Sequence, residues 1–284
     1  MRSDPPGHAN GEVNDRRLEV QGVDVVLGGT RILNGITFDV EPGSTFGIIG
    51  PNGAGKTTLL NVISGVVRPV AGEVRYGGAS LRRVRPHGIR AHGIGRSLQS
   101  THYFRDLTVL QLVALGELPN TVLGALRFGT HRGRTGLGRG DSGEHATRAA
   151  EVLELFDLTR YADRPLSELS SAVQKTVDIA RAVVAGTHLL LLDEPTSGVS
   201  GRARGAIADV LATLRGLGRT VLLIDHDPNF VVSNCDRVMA MNFGEVLHIG
   251  PPGEVMDDAT VRRSYLGESA EQPATAPAPG DGPP

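Results

Sequence analysis

The run Gly50-Pro51-Asn52-Gly53-Ala54-Gly55-Lys56-Thr57 has the spacing G-x-x-x-x-G-K-[ST]. It restricts the fold more than any other feature, because such a run works only between a strand and a helix. Both neighbours are present. Residues 45–49 are a short apolar run, and a helical pattern covers residues 56–64. The glycines let the backbone curl until successive N–H groups point inward at phosphate oxygens. The helix start adds partial positive charge at the same place. Lys56 is then expected to reach the β- and γ-phosphates of a nucleotide and the Thr57 hydroxyl to meet Mg²⁺, with Thr58 beside it in the nucleotide site. A glycine-rich turn with an incidental lysine is the plain alternative, and the flanking strand and helix argue against it.

Leu189-Leu190-Leu191-Leu192-Asp193-Glu194-Pro195 is an apolar strand pattern ending in two carboxylates. A buried strand that delivers Asp to the nucleotide edge is how phosphate-loop enzymes place Mg²⁺. Asp193 is expected to hold the metal's shell through water, and Glu194 to orient and deprotonate the attacking water. The pattern is common by itself, and its weight comes from the phosphate loop upstream. His226 follows the apolar run 220–224. A lone His there is ordinarily a surface residue. Beside a phosphate loop it is placed to reach the γ-phosphate and hold the water in line. Gln99, in Arg96-Ser97-Leu98-Gln99, is the weakest candidate by itself.

Elsewhere strand and helix patterns alternate. Strands are expected at residues 18–26, 36–40 and 72–76. Residues 107–115 read as helical, and helical spacing returns at 147–158 with Ala150, Leu153 and Phe156 on one face. A helix over 172–184 leads to strands at 188–192 and 220–224 with a helix at 202–217 between them. That β-α-β order makes a parallel sheet natural. Residues 124–143, rich in Gly and Arg, read as an exposed insertion; a solvated loop is a better account of those arginines than a nucleic-acid patch. Residues 1–16 and 269–284 bury too little apolar surface to offset their ordering entropy and are expected to be disordered.

Charge and composition narrow the function classes. The formal net charge of −2 makes no electrostatic case for a nucleic-acid partner. No apolar run approaches the roughly 20 residues that span a bilayer, so any link to a membrane is expected to run through a partner protein. The single cysteine, Cys235, excludes an intrachain disulfide and fits a reducing setting.

Taken in order, these motifs resemble the ABC transporter ATPase family from about residue 18 to residue 268. The resemblance implies ATP with Mg²⁺ as cofactors and an α/β P-loop NTPase fold. That fold has a parallel core sheet, an antiparallel β subdomain and a helical subdomain at about 101–185, within one ATP-binding domain at 17–268. It places Glu194 as the catalytic glutamate, His226 as the switch histidine and Gln99 as the glutamine that approaches both metal and γ-phosphate. Ser170 falls in the signature motif that reaches a partner subunit's nucleotide, and Leu27 falls where an aromatic residue usually stacks on adenine. Gly93-Ile94-Gly95-Arg96-Ser97-Leu98-Gln99, Tyr103-Phe104-Arg105-Asp106-Leu107-Thr108-Val109, the insertion before Thr147 and the ending Val261-Arg262-Arg263-Ser264-Tyr265-Leu266-Gly267-Glu268 are similar to importer ATPases for branched-chain amino acids. Urea and amide importers share the pattern. The implied partners are membrane permease subunits, a second ATPase subunit in a heterodimer and, indirectly, an extracytoplasmic solute-binding protein. The implied location is the cytoplasmic face of the membrane.

Four positions, in three places, depart from the family pattern. In Leu169-Ser170-Ser171-Ala172-Val173-Gln174, Ala172 replaces a glycine and Val173 a polar residue. Ala172 adds a methyl where backbone must approach phosphate, and Val173 adds β-branched bulk. Ser200 stands where Asp or Asn is usual, and Leu27 offers apolar packing without an aromatic face. The signature changes keep a second reading open, a regulatory subunit that binds ATP and hydrolyses it poorly. A soluble protein acting on nucleic acid or ribosomes fits less well, since such proteins usually carry two ATPase cores in one chain.

Overall fold

The computed structural model describes residues 16–97, 107–117 and 142–266. In chain order its elements are β1 (Leu18–Leu27), β2 (Thr30–Val40), β3 (Thr45–Ile49), α1 (Lys56–Ile63), β4 (Ala71–Tyr76), β5 (Ala79–Ser80) and β6 (Ile94–Arg96). Then come α2 (Val109–Leu115), α3 (Ser142–Leu155), α4 (Ser171–Val184), β7 (Leu189–Asp193), α5 (Gly201–Gly216) and β8 (Thr220–Ile224). The chain closes with α6 (Pro228–Asn234), β9 (Arg237–Asn242), β10 (Glu245–Gly250), α7 (Pro252–Asp257) and α8 (Ala259–Leu266).

Two sheets form. β2-β1-β4-β5 is antiparallel, and the second sheet runs β10-β9-β3-β8-β7-β6. Its strands β9, β3, β8, β7 and β6 are parallel, and β10 adds an antiparallel edge. All residues of β3, β7 and β8 are buried, as expected of strands covered on both faces. Alternate residues of β7 serve different cores. Leu189 and Leu191 pack with the antiparallel sheet and α1, whereas Leu190 and Leu192 pack with α2 to α6. Register then aligns the strand ends: Ile48 pairs with Ile224, and Ile224 with Asp193. Whatever follows β3, β7 and β8 therefore emerges side by side.

The expected strands at 45–49 and 220–224 coincide with β3 and β8. The helix expected at 147–158 runs over Ser142–Leu155; Ala149 and Leu153 on it and Phe156 just beyond its end are buried, while Ala150 is exposed. Spacings of four and three keep a helical face, whereas the 150-153-156 series drifts around the helix by about 60° per step. The hairpin β9–β10 and the short edge strand β6 carried no strand expectation; Ala and Asn in β9 are depleted in strands. Residues 124–141 of the expected insertion lie outside the described residues, as does Gln99.

Candidate nucleotide site

The phosphate loop leaves β3 at Gly50 and enters α1 at Lys56. Gly55 precedes the helix with φ 98°, and a Cβ there would lie 2.7 Å from Leu33 Cδ2 and 3.1 Å from the Ile32 carbonyl. β2 thus presses on the loop so closely that this position demands glycine. The loop is held from another direction by the β9–β10 turn, where the Gly244 N–H donates to the Ala54 carbonyl at 3.1 Å. Asn52 and Gly53 remain exposed; Thr57 and Thr58, in the first helical turn, are half-buried.

Lys56 is 5% exposed. Its Nζ donates to the carbonyls of Gly50 at 2.7 Å and Pro51 at 2.9 Å. Burial pushes its pKa below the ordinary lysine value, and the negative charges of Glu194 and Asp193 pull it back up. The ammonium is therefore turned onto its own loop, within electrostatic reach of both carboxylates.

Asp193 closes β7 with a fully buried side chain. Arg96, at the end of β6, donates to its Oδ2 at 3.4 Å and also to Asn61 Oδ1 and Ser64 Oγ of the α1 segment at 2.7 and 2.9 Å. One guanidinium thereby links the helix after the phosphate loop to the acid strand. The Asp193 N–H donates to Ser97 Oγ at 3.2 Å. Thr57 and Asp193 are hard oxygen donors. Among the described residues no group of three or more His, Cys, Asp or Glu could hold a metal by itself. That donor set suits Mg²⁺, which keeps waters and takes phosphate oxygens to complete its shell.

Glu194 is bent out of the strand, with φ 52°. Its Oε1 lies 2.5 Å from His226 Nε2, and both side chains are partly exposed. The Glu194 N–H donates to the Ile224 carbonyl at 2.8 Å, and Lys175 of α4 donates to the Glu194 carbonyl at 3.0 Å. Two residues on, Thr196 is bonded to Asp225, and further along Arg204 pairs with Asp227. The turn after β7 and the first turn of α5 are thus laced to the turn after β8 by three side-chain pairs.

Lys56, Asp193, Glu194 and His226, far apart in sequence, meet at one edge of the parallel sheet. Leu27 stands at the exposed end of the β1–β2 hairpin, 47% exposed. Ser170 is exposed at the N-cap of α4 with no side-chain capping bond, and Ala172 is buried in the first turn of that helix. Ser200 holds the N-cap of α5, also without a capping bond. The sequence reading missed Arg96, Lys175, Thr196 and Asp225. Arg96 opens the run that ends at Gln99 and Asp225 directly precedes His226, a signal that points at them only once the partner across the fold is known.

The profile of the ABC transporter family matches residues 33–197. The high-affinity branched-chain amino acid transport ATP-binding protein BraF of Pseudomonas aeruginosa is 34% identical over 255 residues, covering 89% of this chain and 98% of that protein. LivG of Escherichia coli, described in the same words, is 31% identical over the same shares. Among solved structures, a nucleotide-free ATP-binding cassette from an ABC transporter superposes with a TM-score of 0.79 at 27% identity, covering 89% of this chain and all of that one. An ADP-bound cassette of an ABC transporter gives 0.77 at 27% identity, covering 89% and 99%.

Proposed function

Because the chain belongs to the ABC transporter family, whose cassettes bind and hydrolyse ATP, we propose that its hydrolysis drives import of branched-chain amino acids or closely related solutes. As an ABC transporter subunit it works with a membrane permease. Among the described residues no helix is long and apolar enough to cross a membrane, which fits a peripheral subunit at the cytoplasmic face. We further propose a second, different ATPase subunit as partner and a solute-binding protein on the far side.

The observation that carries the chemistry is the Glu194–His226 contact at 2.5 Å, beside the strand end that bears Asp193 and within electrostatic reach of Lys56. In the proposed reaction Lys56 exchanges its two loop carbonyls for β- and γ-phosphate oxygens. The Glu194 carboxylate takes a proton from water while His226 orients the γ-phosphate side of the site. Thr57 and, through water, Asp193 would hold Mg²⁺, which would supply charge neutralisation on the phosphates. Thr58, Gly53 and the neighbouring loop amides of Asn52, Ala54 and Gly55 fix the phosphates; Leu27 packs on the base. A role for Gln99 at the metal remains part of the proposal on family resemblance alone.

The alternative of a hydrolysis-poor regulatory subunit is not favoured, since the most similar proteins reported above are transport ATP-binding proteins. The test is uptake of labelled leucine, isoleucine and valine by membranes carrying the permease with wild-type or Glu194→Gln chain. Uptake should require this chain and fail with Glu194→Gln while ATP still binds. Unchanged uptake by the variant would overturn the proposal.

A further inference from the structure

We propose that Asp225 and Thr196 form a positioning pair that holds Glu194 and His226 in their working geometry. The inference rests on the reading of Glu194 as the base and deepens it. Asp225 is 3% exposed and Thr196 2%. A carboxylate that deep needs donors around it. The Thr196 N–H donates to Asp225 Oδ2 at 3.1 Å, and the Thr196 hydroxyl lies 2.7 Å from both carboxylate oxygens. The Asp227 N–H donates to Oδ1 at 3.0 Å. All these donors come from the two turns that carry Glu194 and His226. Thr196 lies just beyond Glu194 in the chain, and Asp225 directly precedes His226. The contact therefore ties those turns next to the place where Glu194 and His226 meet.

Glu194 needs such a tie. At φ 52° it occupies left-handed backbone, where a residue with a Cβ is strained. Conformations of this kind persist where the surroundings over-determine them. The Glu194 N–H is fixed by Ile224, its carbonyl by Lys175, and the turn that follows it by Asp225. Loss of the last tie lets the turn relax and carries the carboxylate away from His226. ATP binding does not depend on it, because the phosphate loop is held by β2 and the β9–β10 turn.

The experiment uses the full-length chain reconstituted with its permease. Turnover and equilibrium ATP affinity are measured separately for Thr196→Val, Thr196→Ser, Asp225→Asn and Glu194→Gln. Thr196→Val keeps the shape and removes the hydroxyl. Its kcat is expected to fall about 10- to 100-fold, the scale of a small misplacement of a reacting group, with ATP affinity unchanged. Thr196→Ser should restore turnover. Asp225→Asn should match Thr196→Val, and the double variant should lose no more than the larger single loss, as residues acting as a unit do. In a Glu194→Gln background, Thr196→Val should leave the residual rate alone. Thermal melts identify any variant that does not fold, and the near-isosteric Thr196→Val keeps the test available if Asp225→Asn fails. Wild-type kcat in Thr196→Val overturns the proposal. So do equal losses of kcat and ATP affinity, or a Thr196→Ser as slow as Thr196→Val. Wild-type turnover in Glu194→Gln would instead remove the base assignment itself, a separate result.

Discussion

Lys56 binds its own loop through two carbonyls, so its charge is solvated by protein before any phosphate arrives. In the proposed site a nucleotide replaces those neutral acceptors with anionic ones. A hydrogen bond to a charged group contributes about 1.5–3 kcal/mol. Lys56→Ala should therefore weaken Mg-ATP binding by at least about tenfold in a direct titration, and equal affinities would contradict the phosphate-loop assignment. Cys235 is a second residue whose surroundings set its chemistry. Burial, with the nearby Asp236 charge adding, pushes its thiol up to about 12, against an opposing effect of Arg215. The thiol is thus protonated at pH 8, and the thiolate is the reactive form. Iodoacetamide should leave Cys235 unmodified in the folded chain and label it rapidly in denaturant, as read by mass spectrometry. Fast labelling of the native chain would contradict the buried placement.

At the level of elements, the approach of α6 to β3 depends on one missing side chain. A Cβ on Gly47 would fall 2.4 Å from Val231 Cγ1 and 2.9 Å from Cys235 Sγ. Gly47→Ala should therefore destabilise the fold by about 1–3 kcal/mol, the usual range for overpacking. The measurement is a urea titration, in which the midpoint falls and the slope is unchanged. Adding Val231→Ala removes the clashing methyl and should recover part of the loss relative to the sum of the two single effects. Strict additivity would mean that the two positions do not meet. Because β3 runs directly into the phosphate loop, the same crowding should also loosen nucleotide binding.

For the whole molecule, the working unit is expected to be a dimer with two unequal sites. Ala172, Val173 and Ser200 lie at the starts of α4 and α5, which by family resemblance face the partner's nucleotide. The residues proposed to serve this chain's own nucleotide, Lys56, Asp193, Glu194 and His226, are all retained. The departures thus gather in one composite site, and a homodimer would place them in both. In a reconstituted heterodimer, Glu194→Gln should remove most ATPase activity, while the equivalent change in the partner should remove little. Equal losses from the two variants would rule out the asymmetric model.

The sequence alone determined the strand–glycine loop–helix run at 45–63, the largely apolar strands β3 and β8 and the acid pair at the end of β7. Each is encoded by contiguous residues whose spacing reports directly on backbone geometry. Tertiary structure decided what contiguous spacing cannot express. Ala149 rather than Ala150 faces the core because the partner helices select the face. The three residues of β6 become a strand only because β7 offers them an edge, and β9 only because β3 does. Asp193 meets Arg96 across 97 residues of chain, and Thr196 meets Asp225 across 29. Glu194 reaches His226 from a left-handed backbone position that its own residue type disfavours. These contacts arise when strands distant in sequence are set in register, since hydrogen bonding across a sheet depends on which strand ends are brought level rather than on local propensity.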